Sequence, residues 1–510
     1  ENDWKARKES FISGYNGTSF VEVTVFSAGF PLCIFVRAIL LSVLPNFIQN
    51  SKLLSYFFDF FVLIFPGIIM VTGLSEYIYT ATFLVLIFIA SYNWIFLNCR
   101  KSYISTPIQA SYSDYFFKDQ DIDGSSVQVL SSKFPFLSSF RALVNIATCI
   151  CILAVDFNVF PRKFAKAENF GTGIMDLGVG SFVISNALVS QTARNWNKIG
   201  GRSGLNRSLS FLMFQIVSSW PLLLLGALRL ISVKLSGYHE HVSEYGVHWN
   251  FFFTLAVVKV LATVVLFIIP LNLCTPLALV IAAVYQYTLS KKDGHLTSIL
   301  LDSDRTGGLV MQNKEGIASC FGYLSIYFAG VSLGAYIFKE RRTLHHWKTA
   351  AKELVYVTIL LWFLLHLTSY SIQPISRRLG NASYILWVLS QATFMLLLLL
   401  LVDIATTQYI HDGCLPRKSM PNSWIMEIPT SHSKINYRPP LPNKCLISAI
   451  NRNQLFFFLL SNLLTGAVNG LFDTQSIGDT YAVALITVYG LIVSYTMWIL
   501  HMKQITLKMW

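Results

Sequence analysis

The sequence predicts an all-α polytopic membrane protein with about thirteen transmembrane helices, and three observations predict it. Of its 510 residues 54% are hydrophobic and only 13% are charged, where a soluble domain carries about 25% charge. Mean hydropathy is +0.54. Apolar stretches of about 17–25 residues, long enough to cross a bilayer, recur along the whole chain. Residues 1–20 are polar and mixed in charge, without a secretory-signal pattern.

The expected spans are Val23–Leu44, Tyr56–Leu74, Tyr77–Leu97, Leu137–Phe157, Thr172–Thr192, Leu209–Val233, Trp249–Ile269, Leu273–Leu289, Gly316–Phe338, Leu354–Tyr370, Tyr384–Ile404, Gln454–Phe472 and Ala482–Leu500. Only Pro270, Leu271 and Asn272 separate the seventh from the eighth, which predicts a tight helical hairpin. No internal repeat is visible, so residues 1–510 read as one transmembrane domain.

An odd number of spans puts the termini on opposite sides. The first loop, every second loop after it and the C-terminal tail carry 22 Lys and Arg, against 13 for the N-terminal segment and the remaining loops. The positive-inside rule therefore predicts a luminal N-terminus and a cytosolic C-terminus. The long loops 98–136 and 405–453 then face the cytosol, and Pro416–Pro442 reads as a linker. A net charge of +13 on such a chain points to anionic headgroups rather than nucleic acid. The eight cysteines show no metal-ligand spacing, and a disulfide framework is not expected.

The segment 155–183, VDFNVFPRKFAKAENFGTGIMDLGVGSFV, concentrates charge between two apolar helices. It holds Asp156, Arg162, Lys163, Lys166, Glu168 and Asp176. A carboxylate at the hydrocarbon edge, followed ten residues later by an ammonium, suits acid–base chemistry on a lipid. Asp156 would orient or deprotonate a hydroxyl, and Lys166 would stabilise the charge on an attacked thioester carbonyl. The alternative is that Asp156 pairs with Lys166 or Arg162 and caps the helix boundary.

Other motifs divide the same way. His239, His241, Glu244 and His248 match no standard zinc spacing, so a polar network at the start of the seventh span is expected. Arg377 and Arg378 suit a phosphate diester or, equally, ordinary headgroup contact. Arg37, Arg229 and Lys259 lie inside spans, where ionisable groups are functional candidates. Arg141 precedes Asp156 by fifteen residues, about 22 Å along a helix, so it belongs to the opposite mouth. There it meets acyl-carrier phosphates or merely obeys the positive-inside rule. Asn16, Asn206 and Asn381 stand in glycosylation sequons, a weak signal.

Six stretches carry a family likeness: 8–23 (KESFISGYNGTSFVEV), 152–183, 238–255 (YHEHVSEYGVHWNFFFTL), 313–326 (NKEGIASCFGYLSI), 374–381 (PISRRLGN) and 451–469 (NRNQLFFFLLSNLLTGAVN). Through them the chain resembles the inositol acyltransferases of GPI-anchor biosynthesis, the PIG-W class of animals and its fungal counterparts. The resemblance implies transfer of a fatty acyl group, typically palmitoyl, from acyl-CoA to the inositol 2-hydroxyl of glucosaminyl-phosphatidylinositol. It implies a multi-pass protein of the endoplasmic reticulum membrane, with Asp156 and Lys166 catalytic. Asn158 stands where relatives commonly have proline, which is expected to loosen the turn, and Lys163 where they have arginine.

The resulting expectation is a helical chamber whose acyl chain lies between helices. Asp156 and Lys166 do the chemistry. Arg377 and Arg378 hold the phosphate. Arg162, Lys163, Asp176, Glu244, His248, Asn250, Lys314, Asn16 and Asn469 complete the substrate site. No metal and no cofactor beyond acyl-CoA as co-substrate is expected, and the partners are palmitoyl-CoA, glucosaminyl-phosphatidylinositol and membrane lipid, with no obligate protein partner. Most of these motifs fall on one side of the charge-derived topology; Asn313–Gly316 is expected at the other, cytosolic one. A lipid or solute transporter is the competing reading, and an inert scaffold a third. A membrane-bound O-acyltransferase of the histidine type would need a motif around His366, and none is there.

Overall fold

The computed structural model describes residues 11, 14–43, 51–104, 134–194, 209–236, 242–411 and 445–507. Asn206, His239, His241 and Pro416–Pro442 lie outside them. The main helices are α1 (Phe20–Val43), α2 (Lys52–Leu63), α3 (Phe65–Met70), α4 (Ile78–Ile104), α5 (Pro135–Ala154), α6 (Leu177–Leu188), α7 (Leu209–Val217) and α8 (Trp220–Ser236). They continue with α9 (Phe251–Ile268), α10 (Cys274–Leu301), α11 (Lys314–Ile337), α12 (Leu344–Ser371), α13 (Ala382–His411), α14 (Leu446–Arg452), α15 (Gln454–Leu471) and α16 (Asp479–Met502). Among the described residues the strand-like pairing is confined to Gly17 and Thr18 against Thr172.

Among the described residues twelve helical segments are long and apolar enough to cross a membrane, and each matches an expected span. The expected fifth span is the exception: the apolar helical stretch there is only Ile174–Leu188. Its place explains its length. α6 is enclosed by α11, α13 and α5, so it crosses among protein neighbours rather than lipid. Small residues permit that enclosure, since a Cβ on Gly330 of α11 would stand 2.7 Å from the Ala187 side chain.

Burial separates an inner bundle from an outer ring. The most apolar windows of α13, α5 and α11 are 72%, 61% and 61% buried. Those of Ser75–Trp94, Leu212–Lys234 and Leu344–Ser371 are 17% buried and turn their apolar faces outward, as lipid-facing helices do. The connection between α9 and α10 is tight, a 3-10 turn at Leu271–Leu273. The two helices nevertheless splay apart and each packs on α11, so the expected hairpin is a turn without a paired stem.

Charges inside the bundle have local uses. Arg37 on α1 donates from Nε to Asp59 Oδ1 on α2 at 2.7 Å, and Asp59 Oδ2 also accepts from the Leu446 amide at the start of α14. Lys259 on α9 reaches the break between α7 and α8, donating to Ser218 O at 3.2 Å and Ser218 Oγ at 3.0 Å. A helix break exposes carbonyls that water cannot reach, and the ammonium satisfies them.

Candidate active site

The site is built on loops at one end of the bundle: 14–18, 155–176, 242–250, 302–316, 373–381 and 469–475. They are stitched together by backbone and side chain. Thr18 N donates to Thr172 O at 2.7 Å, Glu168 N to Tyr15 O at 2.9 Å, and Gly171 N to Ile375 O at 2.8 Å. The chains approach so closely that a Cβ on Gly171 would lie 2.0 Å from Asn16 O, and its φ of +139° favours glycine independently. Asn16 therefore contributes backbone to this seam.

Val155 caps the end of α5, and Asp156 follows in the terminating turn with its amide on Leu153 O. Arg162 folds back over that end. It donates from Nη1 to Val155 O at 2.9 Å, from Nη2 to Phe157 O at 2.6 Å and from Nε to Phe160 O at 3.0 Å. A cation on the final carbonyls complements the helix dipole. The guanidinium also lies 4.2 Å from the Phe11 ring. Burial pushes its pKa down, opposed by Tyr15 and Asp156. Arg162 is thus a clamp on the turn that presents Asp156.

Asp156 is half-buried, and its Oδ2 accepts a 2.6 Å hydrogen bond from Asn469 Nδ2 near the end of α15. Asn469 is itself oriented, by donation to Thr465 O at 3.2 Å and by acceptance from the buried Thr474 hydroxyl at 3.4 Å. Asn158 stands in the same turn. Its amide donates to Gln475 O at 2.5 Å and ties the turn to the loop after α15.

Lys166 pairs with Glu244 at 2.5 Å. Its side chain remains 39% exposed, against 16% for Glu244, so the ammonium sits at an accessible rim. Behind it Arg377 stands 3.8 Å from Glu244 and 2.8 Å from Asp176. Burial alone would lower the Arg377 pKa, but Glu244 and Asp176 raise it well above the ordinary guanidinium range. Asp176 Oδ2 accepts from the Ala167 and Gly173 amides at 3.0 and 2.8 Å, and its carbonyl accepts from the Tyr384 hydroxyl at 3.0 Å. Asp176 therefore shapes the loop that carries Lys166.

The guanidiniums of Arg377 and Arg378, expected to hold the phosphate, are 5% and 6% exposed and already paired. Arg378 Nη2 donates to Glu315 Oε1 at 2.9 Å, and Nη1 to Asn169 Oδ1 at 2.9 Å. Asn313–Gly316 belongs to this end of the bundle, not to the other mouth. Glu315, fully buried, takes both Arg378 and Arg305, and Asn313 Oδ1 accepts from the His248 amide at 2.8 Å. Regular alternation of the spans puts loop 290–315 on the same side as 158–171. Asn381, a sequon residue, is buried, with its amide on Pro374 O at 2.7 Å.

The remaining candidates frame the site. Lys163 pairs with Glu22 at 2.7 Å, and Glu22 also accepts from the Thr18 hydroxyl. Asn250 caps α9, accepting from the Phe252 and Phe253 amides at 3.0 and 3.3 Å, and is buried. Lys314, also buried, donates to Asp304 O at 2.8 Å. His248 Nδ1 lies 3.2 Å from Lys234 Nζ. Asp156, Asn469, Lys166 and Glu244 are what this leaves at the rim. Sequence reasoning missed Glu22, Asn169, Thr474 and Glu315 as partners. Glu22, Asn169 and Glu315 each had a signal, their place in the family-like stretches 8–23, 152–183 and 313–326, and Thr474 had none.

The GWT1 family model matches residues 4–500. A mouse protein named glucosaminyl-phosphatidylinositol-acyltransferase PIGW is 34% identical over 522 residues, covering 99% of both chains. The human protein of the same name is 34% identical over 525 residues, again covering 99% of both. GPI-anchored wall transfer protein 1 of Aspergillus fumigatus is 35% identical over 524 residues, covering 99% of this chain and 98% of its own. A family model and relatives that span essentially the whole chain place it plainly: the protein belongs to the GWT1 family.

Proposed function

We infer that this protein is a membrane-embedded acyltransferase that acylates the inositol of glucosaminyl-phosphatidylinositol in GPI-anchor biosynthesis. Full-length similarity to relatives named for that activity supports the reaction class. The observation that carries the mechanism is the half-buried rim, where an oriented carboxylate and a half-exposed ammonium stand on one charged loop.

The donor is palmitoyl-CoA and the site opens to the lumen of the endoplasmic reticulum, on the side of the loops that carry fewer Lys and Arg. Asp156 takes the proton from the inositol 2-hydroxyl as its oxygen attacks the thioester carbonyl. Lys166 stabilises the negative charge that develops on the carbonyl oxygen. Collapse breaks the C–S bond, forms the inositol ester and releases CoA as its thiol, with the Asp156 proton returning to sulfur. Transfer is direct, with no acyl-enzyme. The aromatic seam of Phe182, Phe251 and Phe458, with ring centroids 5.4–6.1 Å apart, joins α6, α9 and α15 and offers the acyl chain an apolar path. The ion pair of Arg37 and the capping bonds of Lys259 give two of the three intramembrane charges structural work, which weakens the support for a transporter. Purified protein given glucosaminyl-phosphatidylinositol and radiolabelled palmitoyl-CoA in micelles should place label in the inositol lipid. Lipid movement across liposomes without transfer would instead make it a transporter.

A further inference from the structure

One guanidinium of the inner bundle has no counterpart. Arg141 lies on α5 fifteen residues before Asp156, about 22 Å away along the helix and at its other end. The side chain is mostly buried, and Nε is shut off from solvent without an acceptor. Among the described residues its side chain makes no ion pair and no hydrogen bond. The four most buried arginines behave otherwise: Arg37, Arg377 and Arg378 are paired with carboxylates, and Arg341 donates to Tyr336 O at 2.8 Å.

The surroundings sharpen the anomaly. Arg194 lies at the same end of the bundle, beside Phe338, whose ring stands 4.9 Å from that of Phe134 at the start of α5. The Arg194 guanidinium lies 5.8 Å from the Phe338 ring at the end of α11. Asp403 on α13 accepts from the Phe136 amide at the start of α5 and makes no ion pair with Arg141. A desolvated cation beside a second cation is expensive unless an anion completes the group.

We propose that Arg141 and Arg194 form a phosphate-binding site at the mouth opposite Asp156, and that it takes the phosphate groups of the acyl-CoA donor. This rests on the acyl-transfer reading above. Two guanidiniums present planar forks suited to a multiply charged phosphate. A carrier phosphate fits better than a lipid headgroup because α5 is an inner helix, its most apolar window 61% buried.

The test compares two donors, palmitoyl-CoA and palmitoyl-pantetheine, which has the thioester but no phosphate. For Arg141→Gln and Arg194→Gln the KM for palmitoyl-CoA should rise about tenfold or more with kcat little changed. The KM for the glycolipid, and all turnover of palmitoyl-pantetheine, should stay at wild-type values. Equal losses with both donors would overturn the proposal in favour of a structural role. A defect seen only when phosphatidic acid is added would overturn it in favour of a headgroup. Thermal unfolding keeps the test independent of catalysis. CoA should raise the wild-type midpoint but not that of Arg141→Gln, and inorganic phosphate should compete. Without ligand, Arg141→Gln should melt no lower than wild type, because it removes an unpaired charge; a lower midpoint contradicts the proposal. A wild type that binds CoA at this site yet transfers nothing would sink the acyl-transfer reading alone.

Discussion

Asn469 Nδ2 stands 2.6 Å from Asp156 Oδ2, joining the end of α15 to the turn after α5 across 313 residues of sequence. The amide cannot readily rotate away, because Thr465 O holds the same nitrogen and Thr474 addresses its oxygen. The carboxylate is thus aimed by a second helix as well as by its own turn.

Replacing Asn469 by Ala removes a donor to the ionised carboxylate, which favours the protonated form. A general base works only when deprotonated, so the acid limb of the pH–rate profile should move to higher pH. At neutral pH kcat should fall by about 10–100-fold, in line with loss of an orienting partner. A pH–rate profile of folded Asn469→Ala that overlays the wild type would argue against this role.

Lys166→Met should lower kcat by about 10²–10³ with little change in KM, the effect of removing one oxyanion donor. Glu244→Gln frees Lys166 from its carboxylate while Arg377 keeps Asp176, so it should fall between wild type and Lys166→Met. Initial rates against both substrates measure the split.

Arg377→Ala should act on stability before substrate affinity. It breaks a buried pair and strands Asp176, a change that destabilises by about 3–5 kcal/mol. Thermal unfolding in detergent should show a large drop. A fully stable variant with a raised KM for the glycolipid would restore the phosphate-binding role that its burial argues against.

Gly171→Ala places a methyl against Asn16 O at a backbone φ of +139°. It should loosen the strap 14–18 over the site and cost more than about 1 kcal/mol. Limited proteolysis near the N-terminus, compared with wild type, reads this directly.

The spans were legible in the sequence because a bilayer enforces apolar length, and length is one-dimensional. Ile174–Leu188 resisted for the same reason: its brevity depends on enclosure by α11 and α13, a property of neighbours. Charged motifs were legible as places but not as roles. Arg377 and Lys166 look alike in sequence, yet one is 5% exposed between two carboxylates and the other 39% exposed at a rim. Arg162 read as a substrate contact because nothing local reveals that its side chain turns back onto Val155 and Phe157. The partners Thr474 and Asn469 stand more than three hundred residues from Asp156, beyond any pattern of spacing.

The most direct test of the central claim is acyl transfer by Asp156→Asn beside the wild type, in micelles with glucosaminyl-phosphatidylinositol and labelled palmitoyl-CoA. The substitution preserves shape and removes the base. The account predicts that the variant folds, melts near the wild-type midpoint and leaves the inositol lipid unlabelled. Wild-type-like turnover by Asp156→Asn would contradict it.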